Sequence, residues 1–162
     1  KTGAKRHVAT PIIDGDTITV TSTSIGLIRF HVVKEAGEFQ LKRDWENMEM
    51  KVVISSPTQV GKYLYSPGPG NKCDLGCVDS ATGQTKWKEA GLGDYASVTA
   101  INDSLLVLDS TGELRLVRAS SEKYEELGRA HFMGKTWASP AYSDGKLYLR
   151  DATKLVAVSL VP

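Results

Sequence analysis

Ala138-Ser139-Pro140-Ala141-Tyr142-Ser143-Asp144-Gly145-Lys146-Leu147-Tyr148-Leu149-Arg150 carries three signals in succession. A small-small-Pro phrase comes first, then a tight Asp-Gly turn, then a run that alternates polar and apolar residues. Alternation of period two places one face of a strand against a core and the other outward. The same succession occurs three times upstream. Its phrases are Ala9-Thr10-Pro11, Ser55-Ser56-Pro57 and Ala96-Ser97-Val98, and the middle residues of the four phrases lie 46, 41 and 42 positions apart. Each phrase is followed by a turn and a strand-like run: Asp14-Gly15-Asp16 before Thr17 to Thr21, Gly61-Lys62 before Tyr63 to Ser66, and Asn102-Asp103 before Ser104 to Leu108.

A period of about 40–45 residues with several short strands per repeat is the signature of β-propeller blades. The chain is therefore read as all-β, with about four four-stranded antiparallel blades, the last of them incomplete. The blades are drawn at residues 9–50, 51–92, 93–134 and 135–162, with 1–8 as a partial outer strand. The third strands are Leu27 to Val33, Gly76 to Asp79, Glu113 to Arg118 and Leu155 to Leu160. The fourth are more polar: Phe39 to Glu46, Thr85 to Glu89 and Glu126 to Phe132, as suits a strand with one solvated edge. Ser120 to Leu127 opens with a capping pattern but is short, and is expected to form one helical turn or a tight loop. A blade can bury its faces only against neighbours. Four blades with two open ends are therefore expected to belong to a larger ring of roughly seven to eight blades, or to pair with a second copy. Lys1 opens the chain in mid-pattern, so the absence of a signal peptide carries no information on compartment.

Composition narrows the partners. Hydrophobic residues make up 41% and charged residues 24% of the chain, as in globular proteins. The net charge of +1 implies no strong field, which argues against nucleic acid as a partner. No apolar run approaches the ~20 residues of a membrane helix, so membrane insertion is not expected. Cys73 and Cys77 flank a plausible turn; they either bridge that hairpin or stand as two unrelated thiols, with Cys77 packed on a strand. A single pair is too few ligands for zinc, and His7, His31 and His131 fall in different repeats.

The sharpest motif is Cys77-Val78-Asp79-Ser80-Ala81-Thr82-Gly83-Gln84-Thr85-Lys86-Trp87. Asp79 ends a strand and caps the turn, Thr82-Gly83 makes the turn, and Trp87 is placed to stack between this blade and the next. The motif resembles that of the quinoprotein-type propellers, whose repeats carry small-x-Asp-x-x-Thr-Gly-x-x-x-Trp and dock adjacent blades through the tryptophan. Asp79, Thr82, Gly83 and Trp87 are the docking residues that the resemblance implies. Trp45 stands on the equivalent strand of the first repeat without a preceding Thr-Gly, and the third repeat has Arg129 near that place and no tryptophan. Leu116 to Leu149 looks like the C-terminal half of quinone-binding-like repeat proteins of planctomycete-type bacteria.

That family includes dehydrogenases holding pyrroloquinoline quinone with calcium, and non-enzymatic scaffolds. The dehydrogenases pair two adjacent cysteines beside the quinone, whereas Cys73 and Cys77 are four apart. No clustered Asp, Glu and Asn set recreates a calcium site. The resemblance therefore implies a non-catalytic module outside the cytoplasm, binding a protein or small ligand; the alternative is a fragment of a quinone-dependent dehydrogenase. Ligands of propellers meet the central channel. Aligned repeats place Arg6, His7, Asp94 and Lys135 at its mouth, followed by Val8, Ile54, Tyr95 and Trp137. The three cations suit an anionic ligand or an acidic group of a protein. No nucleophile motif or phosphate loop is present. Asn102-Asp103-Ser104 fits a glycosylation sequon and equally the inter-strand turn that every repeat has, and Ser66 to Asn71 is the most loop-like stretch.

Overall fold

Alternating and continuous apolar runs both become strands in the computed structural model, which describes residues 8–52, 54–68 and 74–160. The first sheet comprises β1 (Ile12–Asp14), β2 (Thr17–Ser22), β3 (Gly26–Glu35) and β4 (Glu38–Asn47). The second comprises β5 (Thr58–Val60), β6 (Tyr63–Pro67), β7 (Leu75–Asp79) and β8 (Thr85–Glu89). The third holds β9 (Ala96–Ile101), β10 (Ser104–Asp109), β11 (Glu113–Arg118) and β12 (Glu126–His131). The last has β13 (Ala141–Ser143), β14 (Lys146–Arg150) and β15 (Leu155–Ser159). Within each sheet the strands pair in chain order, all antiparallel. No helix occurs among the described residues, and so none is long and apolar enough to cross a membrane.

Residues 119–125 form a loop rather than a helical turn. The cause is pairing across the hairpin: Arg118 N–H donates to the Glu125 carbonyl at 2.9 Å, and the Arg118 guanidinium holds the Glu125 carboxylate at 3.0 Å. The chain is thus tied as an antiparallel ladder before any helical bond can close.

Burial explains why β10 reads Ser-Leu-Leu-Val-Leu-Asp. Leu105 and Val107 pack toward the second sheet, with Tyr65, Leu75 and Cys77. Leu106 and Leu108 pack toward the fourth, with Leu147 and Leu149. A strand covered on both faces needs apolar residues at both parities. Each such leucine contributes about 1.5–3 kcal/mol relative to exposure. A third cluster of Leu27, Met50, Leu64 and Val78 joins the first sheet to the second. The sheets are therefore held face to face, each seam built from two neighbours in sequence. In β14, by contrast, Leu147 and Leu149 are buried while Lys146, Tyr148 and Arg150 face outward.

Each complete sheet carries an irregularity at one place in its outer ladder. The register shifts after Arg29 in the first sheet, after Cys77 in the second and after Leu116 in the third. An extra residue on the outer strand bends and twists it, here Asp44, Lys86 and Leu127 in turn.

Candidate functional site

The inner ends of the four repeats converge. Thr10 N–H donates to Ser56 Oγ at 2.8 Å, Ser55 Oγ–H donates to the Ala96 carbonyl, and Thr58 Oγ1–H donates to the Val98 carbonyl at 2.8 Å. These bonds run from one repeat to the next, so small hydroxyl residues stitch the inner strands together. They surround a cavity of about 350 Å³ whose lining includes Ile54, Tyr95, Ser97 and Ser139, from the second, third and fourth repeats, and Val8, just before the first. Beside it the rings of Tyr95 and Trp137 stack, with centroids 5.5 Å apart and planes 17° from parallel. Trp137 remains half exposed while Tyr95 is buried.

Of the residues expected at the channel mouth, Arg6 and His7 lie outside the described residues. Asp94 and Lys135 are both exposed, and neither forms an ion pair with any described residue. Asp94 is held by its backbone, whose N–H donates to Ser110 Oγ at 3.2 Å. The expected apolar row fares differently: Val8, Ile54 and Tyr95 line the cavity. Sequence reasoning missed the lining hydroxyls Ser55, Ser56, Thr58 and Ser97. Their signal was the repeated small-small phrase itself, in which small residues let inner strands approach closely. Ser97 Oγ is distinctive, being buried without a hydrogen-bond partner.

The docking motif has a clear geometry. Asp79 Oδ1 accepts from the N–H groups of Ala81 and Thr82, each at 3.0 Å, and Gly83 N–H donates to the Asp79 carbonyl at 2.8 Å. Burial works against the charge on Asp79, but the bonds from Thr82 and Ala81 outweigh it and hold the carboxyl below its ordinary range. Gly83 has φ +74°, and a Cβ there would stand 2.6 Å from the Trp45 ring. Glycine is thus required twice, for the turn and for the ring of the preceding sheet. Trp45 Nε1–H donates to the Ser80 carbonyl at 2.9 Å, and Trp87 Nε1–H donates to the Ser120 carbonyl at 2.9 Å. Each indole therefore bonds to the following sheet. Trp87 also lies between Tyr65 of its own sheet, at 6.1 Å, and Tyr124 of the next, at 6.0 Å. Asn47 adds a bridge that the sequence did not announce, donating through Nδ2 to the Gly83 carbonyl at 2.7 Å.

Cys77 is a free thiol, fully buried beneath Trp87, and burial pushes it up to about 11. Cys73 lies outside the described residues.

The carboxylates at the strand turns are likewise committed to backbone. Asp109 Oδ1 accepts from Thr111 N–H at 2.9 Å and Thr111 Oγ1–H at 2.6 Å. Asp151 Oδ1 accepts from Thr153 N–H at 2.7 Å and Lys154 N–H at 2.8 Å, and its Oδ2 from Gly134 N–H at 2.9 Å. No group of three or more His, Cys, Asp or Glu side chains fit to hold a metal ion occurs among the described residues. A calcium ion takes 6–8 oxygens, carboxylates prominent among them. The inner cavity offers hydroxyls and backbone without a carboxylate, so the described residues do not fit the calcium that accompanies pyrroloquinoline quinone.

The arrangement of the sheets is shared with solved structures. BamB from Moraxella catarrhalis superposes with a TM-score of 0.66 at 17% identity, over 92% of this chain and 41% of that one. A europium-containing methanol dehydrogenase superposes with a TM-score of 0.60 at 14% identity, over 82% of this chain and 26% of that one. The fold is that of β-propeller blades. A computationally designed protein, Ika8, also superposes, with a TM-score of 0.62 at 8% identity, over 85% of this chain and 41% of that one. At these identities the likeness is one of fold. No family profile and no curated protein sequence matches the chain. The four sheets are thus propeller blades, and the chain spans less than half the length of each of these structures.

Proposed function

We propose that this PQQ-like propeller module is non-catalytic and binds a protein or small polar ligand at the inner channel and its mouth. The observation that carries this reading is Ser97. Its hydroxyl is buried without a protein partner, and the residue belongs to the lining of a cavity bordered by the second, third and fourth repeats. A buried hydroxyl left unpaired costs about 1–3 kcal/mol, which a polar ligand in the cavity offsets. Lys135, exposed and without an ion pair to any described residue, stands two residues before Trp137, whose ring stacks on the lining residue Tyr95, and supplies a positive charge for an anionic group. The turn carboxylates support a binding role as well, since they accept backbone N–H bonds instead of facing the cavity. The resemblance to quinoprotein-type propellers supports a location outside the cytoplasm for such a module.

The rival reading is a fragment of a quinone-dependent dehydrogenase, whose ring would be completed by further blades or a second copy. A dye-acceptor assay with added pyrroloquinoline quinone, calcium and a primary alcohol separates the two. No reduction above the protein-free rate is expected; alcohol-dependent reduction would overturn the binding reading.

A further inference from the structure

Hydroxyl bonds close the inner rim between the first three repeats and stop there. Thr10 N–H donates to Ser56 Oγ across the first seam, and the Ser55 and Thr58 hydroxyls donate to carbonyls of β9 across the second. Strand register gives the counterparts in the third repeat. Thr58 lies two residues before the last pair of its hairpin, and Thr99 occupies the same place in the next, which makes Ser97 the counterpart of Ser56. The Val98 carbonyl, which takes the Thr58 proton, has its counterpart in that of Pro140. Among the described residues Thr99 makes no such bond to Pro140, and Ser97 Oγ has no partner. Ala96 stands where Ser55 does and has no hydroxyl to offer.

The side chains left over face the gap. Ser97 is paired with Leu108 and Thr99 with Leu106, and these leucines pack on Leu147 and Leu149 of the fourth sheet. Directly paired residues of neighbouring strands share a face. Ser97 and Thr99 therefore face the fourth repeat, which contributes Ser139. All three line the inner cavity, and Ser97 is only 4% exposed. Both walls of the gap lie within the described residues.

The chemistry of the lining selects the ligand. None of its ten residues carries a charge, and six are serine or threonine. A free Ser or Thr hydroxyl offers one donor and two acceptor sites. Its complement is a group with the same dual capacity, which is another hydroxyl; an anion would use the donors alone and a cation the lone pairs alone. Tyr95, also in the lining, stacks on Trp137, which is 54% exposed. Tyr95 covers one face of the indole, and no other ring of the described residues stacks on it. A ring with an apolar C–H face and a rim of hydroxyls suits both the indole and the serines. The volume of about 350 Å³ lies at the low end of the roughly 300–1,000 Å³ of small-molecule sites and suits a single ring.

We propose that the inner end of the seam between the third and fourth repeats binds a neutral saccharide. Its hydroxyls take the place of the missing stitch at Ser97, Thr99 and Ser139, and its C–H face lies on Trp137. The inference rests on the channel reading and names the ligand class of that site. Lys135 is not part of the lining and takes no part in holding the neutral ring.

The test is amide-resolved NMR of the chain titrated with the methyl pyranosides of glucose, galactose and mannose, and separately with cyclohexanol and inorganic phosphate. At least one glycoside is expected to give saturable shifts at Ser97, Thr99, Ser139 and the Trp137 indole N–H, with a Kd on the order of 1 mM. Cyclohexanol and phosphate are expected to leave those signals in place. Thr99→Val keeps the shape without the hydroxyl and should weaken the glycoside about fivefold, and Ser97→Ala about tenfold. Ser97→Ala deletes a buried hydroxyl that has no partner, so its denaturation midpoint should equal or exceed the parent's, which separates lost binding from a damaged fold. Silence toward all three glycosides, shifts that survive both substitutions, or equal shifts with cyclohexanol would overturn the site. Saturable phosphate shifts with the glycosides silent would overturn the saccharide and leave the channel reading standing. That reading fails instead on alcohol-dependent dye reduction.

Discussion

Single carboxylates do much of the local work in this chain. Asp79 and Asp109 end strands, Asp151 directly follows one, and all three collect backbone N–H donors that a tight turn would otherwise leave unpaired. Asp151 has the fullest set, and its bonds from Thr153, Gly134 and Lys154 hold its carboxyl well below the usual carboxylate range. The sign of the consequence follows from linkage. The folded value lies below the unfolded value of about 3.9, so the contribution is complete above roughly pH 5 and is lost as the pH falls toward the folded value. Urea midpoints measured from pH 7 down to acid should therefore fall more steeply for the parent than for Asp151→Asn, with the variant the less stable at pH 7. Parallel curves would show that Asp151 contributes nothing through its charge.

The strands carry the next layer. Outer strand β8 is polar except for Trp87, and that one ring connects Tyr65, Tyr124 and the Ser120 carbonyl across a seam. Trp87→Ala should cost about 3 kcal/mol in denaturant unfolding, the lower end for aromatic truncations, because the ring is partly buried. Trp137→Ala should cost only about 1 kcal/mol, because Trp137 is half exposed and its stack on Tyr95 is its main contact. Equal losses would contradict the division between docking ring and rim ring. At this scale the sequence was informative: alternating runs became strands, and the Asp-x-x-Thr-Gly-x-x-x-Trp spacing led to the ring that lies on the next blade. The place of Gly128 was not legible. A bulge shifts the outer strand by one residue and leaves no mark in the local pattern, so the sequence set Arg129 only near the docking position, where the ladder pairs Gly128 with Leu116. Asn47 was hidden for another reason, since its partner Gly83 is 36 residues away. The lining hydroxyls were read as parts of a structural phrase, and only the convergence of the repeats shows that they surround a cavity.

At the scale of the molecule, the four sheets stack face to face, and three apolar seams join each to the next. The inner rim is small and hydroxyl-rich, while the outer rim depends on indoles. We propose recognition at the inner rim, and no group of three or more His, Cys, Asp or Glu side chains fit to hold a metal ion occurs among the described residues. The most direct test of a binding module is native mass spectrometry of the purified chain with pyrroloquinoline quinone and calcium added together. The mass is expected to stay that of the protein alone. A discrete increase equal to one quinone with its calcium would contradict the binding-module reading and return the chain to the dehydrogenases.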